Sequence, residues 1–356
     1  MKKTALIMAG GRGERFWPYS RRNRPKQFLS LTPDGQTLLQ LTVQRILPLV
    51  DIEDMYIATH ADYKEQVRQQ LPDLPEENIL CEPVGRNTAP CIGLGAVHIA
   101  QKHKDALMFV LPSDHLIKYV PIFRDTLSEA CGVAMKGDNL VTIGITPDYP
   151  ETGYGYIKFN SGAAEGRAFS VDRFVEKPDL ETAKQYLGSA EYLWNSGMFV
   201  WKISSVMARF EQLMPEMHAG LLRIQASIGT EEEAATLERE FTQFPSESID
   251  YGVMEKTSNI YVLPSSFGWD DVGSWLAIER IHPTNEFGNV VKGNFITVST
   301  ENCVLQGGEK LIAAVGLKNL IVVDTEDTLL ICAKESAADI KRVLENLRTC
   351  NRSEYL

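Results

Sequence analysis

The chain has 356 residues, 44% of them hydrophobic and 23% charged, which suits a folded protein of two domains with a large core. Its 36 basic and 47 acidic residues leave a formal charge of -11, so neither nucleic acid nor an anionic membrane surface is the main partner. No run approaches the ~20 apolar residues of a membrane span, the apolar start is too short for a signal peptide, and the cysteines fall singly, as in a reducing cytoplasm.

In chain order, residues 6–9 read as a short buried strand that runs straight into Gly10-Gly11-Arg12-Gly13-Glu14-Arg15. A helical spacing of apolar residues follows over 37–47, then a strand over 55–59, a helix over 92–100 and a buried strand over 106–111 that ends at Pro112-Ser113-Asp114-His115. This alternation indicates an α/β domain with a mainly parallel sheet, whose ligands sit beyond the carboxyl ends of strands. Runs over 140–145, 154–159 and 168–175 are richer in β, and 203–241 is helical. After about residue 285 come short β-branched runs at 295–298, 310–315, 320–323 and 328–332, then an amphipathic helix over 336–347. We therefore expect a large domain over 1–285 and a small β domain with a helical cap over 286–356, its evenly spaced strands suggesting solenoid turns.

The first loop extends to Arg15 and Pro18, with Pro25-Lys26 behind it. Glycines let backbone N–H groups approach phosphate oxygens, and Arg12, Arg15 and Lys26 supply charge where the chain turns toward a helix. A tight turn with solvated basic residues is the plain alternative, but three cations crowded there in an acidic chain argue for phosphate. Arg15 and Phe16 replace the third glycine of a dehydrogenase fingerprint, and no Gly-Lys-Ser/Thr follows, so this is not a Walker loop. Asp114 is a candidate magnesium ligand, since that hard cation takes one or two carboxylates and keeps water elsewhere; alone, a strand-end aspartate is more often a helix cap. Trp269-Asp270-Asp271-Val272-Gly273 offers a second carboxylate, or simply an Asp-Gly turn.

Phe174-Val175-Glu176-Lys177-Pro178 ends an apolar strand with an acid and a base. Neighbouring strand residues face opposite ways, so Glu176 and Lys177 are expected to do different tasks, at sugar hydroxyls and at a phosphate; without context, a surface ion pair before a proline is the favoured reading. Asn195-Ser196-Gly197 presents an amide beside a close backbone approach, or is simply an ordinary Asn-Ser-Gly turn. In Glu82-Pro83-Val84-Gly85-Arg86-Asn87-Thr88, the Glu82 carboxylate suits guanine N1–H and N2–H₂, a donor pair that adenine and the pyrimidines lack, with a solvated loop acid as the near alternative. The scattered histidines form no metalloprotease motif, and no Gly-x-Ser-x-Gly elbow is present.

Taken in order, these motifs, with Gly153-Tyr154-Gly155-Tyr156-Ile157, resemble the sugar-phosphate nucleotidyltransferases over nearly the whole chain. Arg86-Asn87-Thr88-Ala89-Pro90, Phe174 to Pro178 and the run from Gly316 to Thr325 resemble the branch that uses mannose 1-phosphate. The resemblance implies a Rossmann-like mixed sheet, a tail folded as a partial left-handed β-helix, and a Mg²⁺-assisted reaction of GTP with mannose 1-phosphate giving GDP-mannose and pyrophosphate. It implies Arg15 and Lys26 on the triphosphate and Ala9, Gly10, Gly11, Arg12, Gly13, Glu82, Asn87 and Thr88 around the nucleotide. It implies Asp114 and Asp271 on the metal, with Asp270 as the competing choice, Lys177 on the sugar phosphate, and Gly155, Glu176 and Asn195 on the sugar. Because the chain stops at Leu356, the isomerase domain that some relatives carry is not expected. No motif speaks to oligomeric state, and a homodimer is among the arrangements allowed.

Overall fold

The computed structural model describes residues 1–11 and 13–356. Two compact units interleave along the chain: Met1–Gly10, Thr42–Ser113 and Ile117–Trp269 form the first, and Gly11–Leu41, Asp114–Leu116 and Asp270–Leu356 the second.

The first unit is built on a nine-stranded sheet. Its strands are β1 (Lys3–Met8), β2 (Met55–His60), β3 (Ile79–Glu82), β4 (Leu107–Pro112), β5 (Leu140–Ile145), β6 (Tyr156–Glu165), β7 (Ala168–Val175), β8 (Tyr192–Lys202) and β9 (Ile260–Ser265), in the order β3-β2-β1-β4-β8-β5-β9-β7-β6. β1 runs parallel to β2 and β4, and β2 to β3, as helical crossovers require. β8 runs antiparallel to both β4 and β5, and β6 and β7 form a hairpin, so the sheet is mixed beyond β4. Ala5, Leu6 and Ile7 have no exposed surface, the mark of a parallel strand covered on both faces.

Helices follow the apolar spacing. α1 (Leu38–Ile46) and α2 (Lys64–Gln70) are short, whereas α3 (Thr88–Lys102) and α4 (Val120–Ala134) are fifteen residues each. After α5 (Leu180–Ser189), the expected helical stretch divides into α6 (Ile203–Leu213), α7 (Pro215–Ser227) and α8 (Glu233–Phe241), broken where Pro215 opens α7. Ile92, Leu94 and Ile99 of α3 share one core with Leu6, Val110, Phe210 and Leu221.

In the second unit the strands stack as parallel rungs. β10 (Val290–Lys292), β12 (Val304–Gln306) and β14 (Leu320–Asp324) place Val290, Val304 and Ile321 in register, and β11 (Phe295–Val298) pairs in parallel with β13 (Ile312–Val315). β15 (Leu329–Ala333) turns back antiparallel on β14 and ends the coil, and α9 (Ile340–Thr349) follows. This unit has a core of its own, in which Phe16, Trp17, Leu29 and Leu38 pack with Trp275, Val290, Val304, Ile321, Ile340 and Leu344. The Trp275 indole donates to the Trp17 carbonyl at 3.0 Å, so the segment after the first loop is bound to the short turn ahead of the rungs. Among the described residues no helix is long and apolar enough to cross a membrane.

Candidate active site

In the second unit, Gly13, Arg15, Lys26, Asp114, His115 and Asp271 line one cavity of about 570 Å³. Gly13 stands at φ +59°, where a Cβ would lie 2.3 Å from the Lys26 Cβ, so only glycine lets the loop close over Lys26. The Lys26 ammonium is buried and donates to Asp114 Oδ2 at 2.8 Å and to the Asp271 carbonyl. Burial alone would raise the Asp114 carboxyl, but the Lys26 charge, His115 and the Lys26 hydrogen bond outweigh it and hold the group below its ordinary value. Asp114 is therefore an anion at neutral pH.

The two neighbouring acids of the Trp-Asp-Asp motif part company. Asp270 is buried, receives both Nε and Nη2 of Arg280, and accepts the Val272 amide at 2.8 Å. Asp271 lines the cavity and accepts the Gly273 amide through Oδ1 at 3.1 Å. Asp114 and Asp271 thus present two carboxylates to one cavity, a set that suits a hard divalent cation only if phosphate and water supply the remaining oxygens. Among the described residues no third acidic, histidine or cysteine ligand completes a protein-only cage. Gly11 is exposed and faces open space, and Arg12 lies outside the described residues.

The remaining candidates lie in the first unit. Ala9 is pinned by the Ala58 carbonyl and by the Thr59 hydroxyl, which donates to the Ala9 carbonyl at 2.9 Å. A Cβ on Gly10 would stand 3.3 Å from Glu82 Oε2, so the loop's start and the end of β3 come together. Glu82 is buried, its Oε1 has no hydrogen-bond partner, and burial pushes its carboxyl up to about 7 against an opposing bond to Cys91. Asn87 and Thr88 are engaged structurally: the Asn87 side chain accepts from the Thr88 amide at 2.8 Å to open α3, and the Thr88 hydroxyl accepts from the Ile249 amide at 2.8 Å.

Gly155, Glu176 and Asn195 also meet. A Cβ on Gly155 would approach Glu176 Oε2 to 2.9 Å, and the Asn195 backbone N–H donates to the Gly155 carbonyl at 2.8 Å. The expectation that Glu176 and Lys177 face opposite ways is corrected: β7 ends at Val175, Lys177 has φ +40°, and its ammonium donates to Glu176 Oε1 at 2.5 Å. Outside the strand, alternation no longer governs direction. Asp250 is not among the residues expected from the sequence; its Oδ1 accepts from Asn195 Nδ2 at 2.8 Å, and it opens a π-helical turn over Asp250–Met254. Burial raises the Asp250 carboxyl, the Asn195 bond opposes this, and the nearby Glu176 charge adds to the rise. No local motif signals Asp250, because its partner lies 55 residues away.

Residues 4–286 match the family described as Nucleotidyl transferase, and 293–347 match the MannoseP isomerase/GMP-like beta-helix domain. The chain belongs to the nucleotidyl transferase family. It is 40% identical over 358 residues to a mannose-1-phosphate guanylyltransferase of Klebsiella pneumoniae, spanning 98% of this chain and 75% of that one. Its identity to the Salmonella montevideo protein of the same name is 41% over 362 residues, 99% of this chain and 75% of the relative. A Thermus thermophilus crystal structure described as mannose-1-phosphate geranyltransferase superposes with a TM-score of 0.87 at 35% identity, covering 98% of this chain and 100% of that chain.

Proposed function

We propose that the chain transfers GMP from GTP to α-D-mannose 1-phosphate, releasing pyrophosphate and forming GDP-mannose. One observation carries the reading: Arg15, Lys26, Asp114 and Asp271 share one cavity, which joins cations for a triphosphate to carboxylates for a metal. The named activity of relatives near 40% identity supports guanine and mannose as the specificities.

A mannose 1-phosphate oxygen attacks the α-phosphorus in line, a new P–O bond forms, and the α–β bridging P–O bond breaks with its electrons leaving on pyrophosphate. The nucleophile is already an anion, so position and charge neutralisation are what the site supplies. Asp114 and Asp271 would hold a Mg²⁺ ion, whose charge would offset that of the triphosphate. Lys26 holds Asp114 ionised and, with Arg15, faces phosphate. Lys177 would exchange Glu176 for the sugar phosphate, leaving Glu176 to accept sugar hydroxyls beside Asn195 and the Gly155 backbone. Glu82 would accept both guanine donors beside Gly10. The six free cysteines support a reducing, cytoplasmic setting.

Pyrophosphate release from GTP, UTP, dTTP and ATP, each with mannose 1-phosphate or glucose 1-phosphate, tests the reading. GTP with mannose 1-phosphate should be the best pair, and a better rate with any other would overturn the specificity. Chelation should stop turnover, Mg²⁺ should restore it, and Asp114→Ala should not respond to Mg²⁺; normal rates in that variant would remove the metal assignment.

A further inference from the structure

The cavity in the second unit has one lining residue that no motif pointed to. Lys341 stands in the first turn of α9, at the opposite end of the sequence from the glycine loop, and lines the same cavity as Arg15, Lys26, Asp114 and Asp271. α9 is oriented by Ile340 and Leu344, one turn apart and both buried in the core of this unit. A second face carries Lys341 and Arg348, two turns apart, and Arg348 ion-pairs with Glu14 at 2.5 Å. Beyond the helix, the Trp17 indole donates to the Tyr355 carbonyl at 2.7 Å. These contacts tie α9 to the segment that bears Arg15.

The charge balance gives Lys341 its role. Glu14 is neutralised by Arg348, and Asp114 is paired with the buried Lys26 ammonium. Among the described residues of the cavity, the cations left without an ion-pair partner are Arg15 and Lys341, both exposed. A triphosphate brings about four negative charges to a cavity where Asp114 and Asp271 would already offset one divalent metal ion, so it needs cations beyond the paired Lys26. We propose that Lys341 binds the β- and γ-phosphates of the nucleotide and the pyrophosphate they become, so that the cap of the β-helix supplies part of the phosphate site. This rests on the proposed nucleotidyl transfer for its substrate, but the binding of pyrophosphate can be measured without turnover.

The experiment compares wild type with Lys341→Ala, Lys341→Arg and Arg342→Ala, the last an exposed neighbour that pairs with Asp339 at 3.5 Å. Calorimetry with Mg²⁺ and pyrophosphate should show about tenfold weaker binding in Lys341→Ala, wild-type binding in Arg342→Ala, and most of the affinity kept in Lys341→Arg. In turnover, KM for GTP, and for pyrophosphate in reverse, should rise by about the same factor while KM for mannose 1-phosphate and Tm hold. Pyrophosphate affinity within twofold of wild type in Lys341→Ala would overturn the proposal, as would a loss that Lys341→Arg does not restore. If wild type turns over no nucleotide with either sugar phosphate, the proposed function fails, and the calorimetric comparison still decides the role of Lys341.

Discussion

Glu82 is a buried carboxyl with an unpartnered oxygen, and burial moves its titration up to about 7. The folded chain holds a proton that the unfolded chain gives up at lower pH, so the group subtracts stability as pH rises from the ordinary carboxylate range toward neutrality, and subtracts a constant amount above it. Glu82→Gln removes that charge and should raise Tm by a few degrees at about pH 8, with little effect at about pH 4. The proposed recognition of guanine by Glu82 needs the ionised form, since only the carboxylate accepts both base donors. KM for GTP should therefore fall as pH rises from about 6 to about 8 in wild type, and should be higher and flat over that range in Glu82→Gln. A flat wild-type profile would remove Glu82 from base recognition. Asp250 also belongs to this scale. Asp250→Asn keeps the shape but not the charge beside Glu176 and Asn195, so KM for mannose 1-phosphate should rise about three- to tenfold with KM for GTP unchanged. Equal losses for both substrates would make Asp250 a structural group.

The element that couples fold to chemistry is the loop after β1. At Gly13 an added Cβ meets the Lys26 backbone nitrogen at 2.6 Å and sits on a positive φ, whereas at Gly11 it meets nothing within 4 Å. Gly13→Ala should cost about 2–4 kcal/mol and raise KM for GTP, while Gly11→Ala should stay within about 0.5 kcal/mol of wild type, both read by denaturant midpoint. Equal stability in the two variants would mean that the close approach to Lys26 does not constrain the loop. Much of this element was legible in the sequence, because glycines, cations and a preceding apolar run are local signals. The pairing of Lys26 with Asp114 was not, being a contact across 88 residues. Asp270 and Asp271 likewise look alike as neighbours in one motif, and Arg280, ten residues on, is what takes one of them out of the cavity. Lys177 reads as a strand residue because the apolar pair Phe174-Val175 ends the strand just before it and nothing local announces the left-handed turn that follows.

At the scale of the molecule, alternating apolar runs disclosed the α/β sheet and the solenoid-like tail, since periodicity reports burial directly. They did not disclose that the second unit combines residues 11–41 with residues 270–356. Phe16, Trp17 and Leu29 follow no helical or strand period, and their burial, with that of Leu38 at the start of α1, depends on Val290, Val304, Ile321 and Ile340. Removing residues 286–356 would strip those partners from the segment that carries Arg15 and Lys26. Exposing each of these large side chains costs about 1.5–3 kcal/mol, so four or five together match the roughly 5–15 kcal/mol that holds a typical domain folded. A chain ending at residue 285 should therefore keep the far-ultraviolet signal of the nine-stranded sheet, bind a hydrophobic dye, and lose pyrophosphate binding altogether, beyond the tenfold loss expected of Lys341→Ala. If that shortened chain were monomeric, bound no dye and held pyrophosphate with wild-type affinity, the phosphate loop would be folded by the sheet unit alone, and the β-helix would have no part in forming the site.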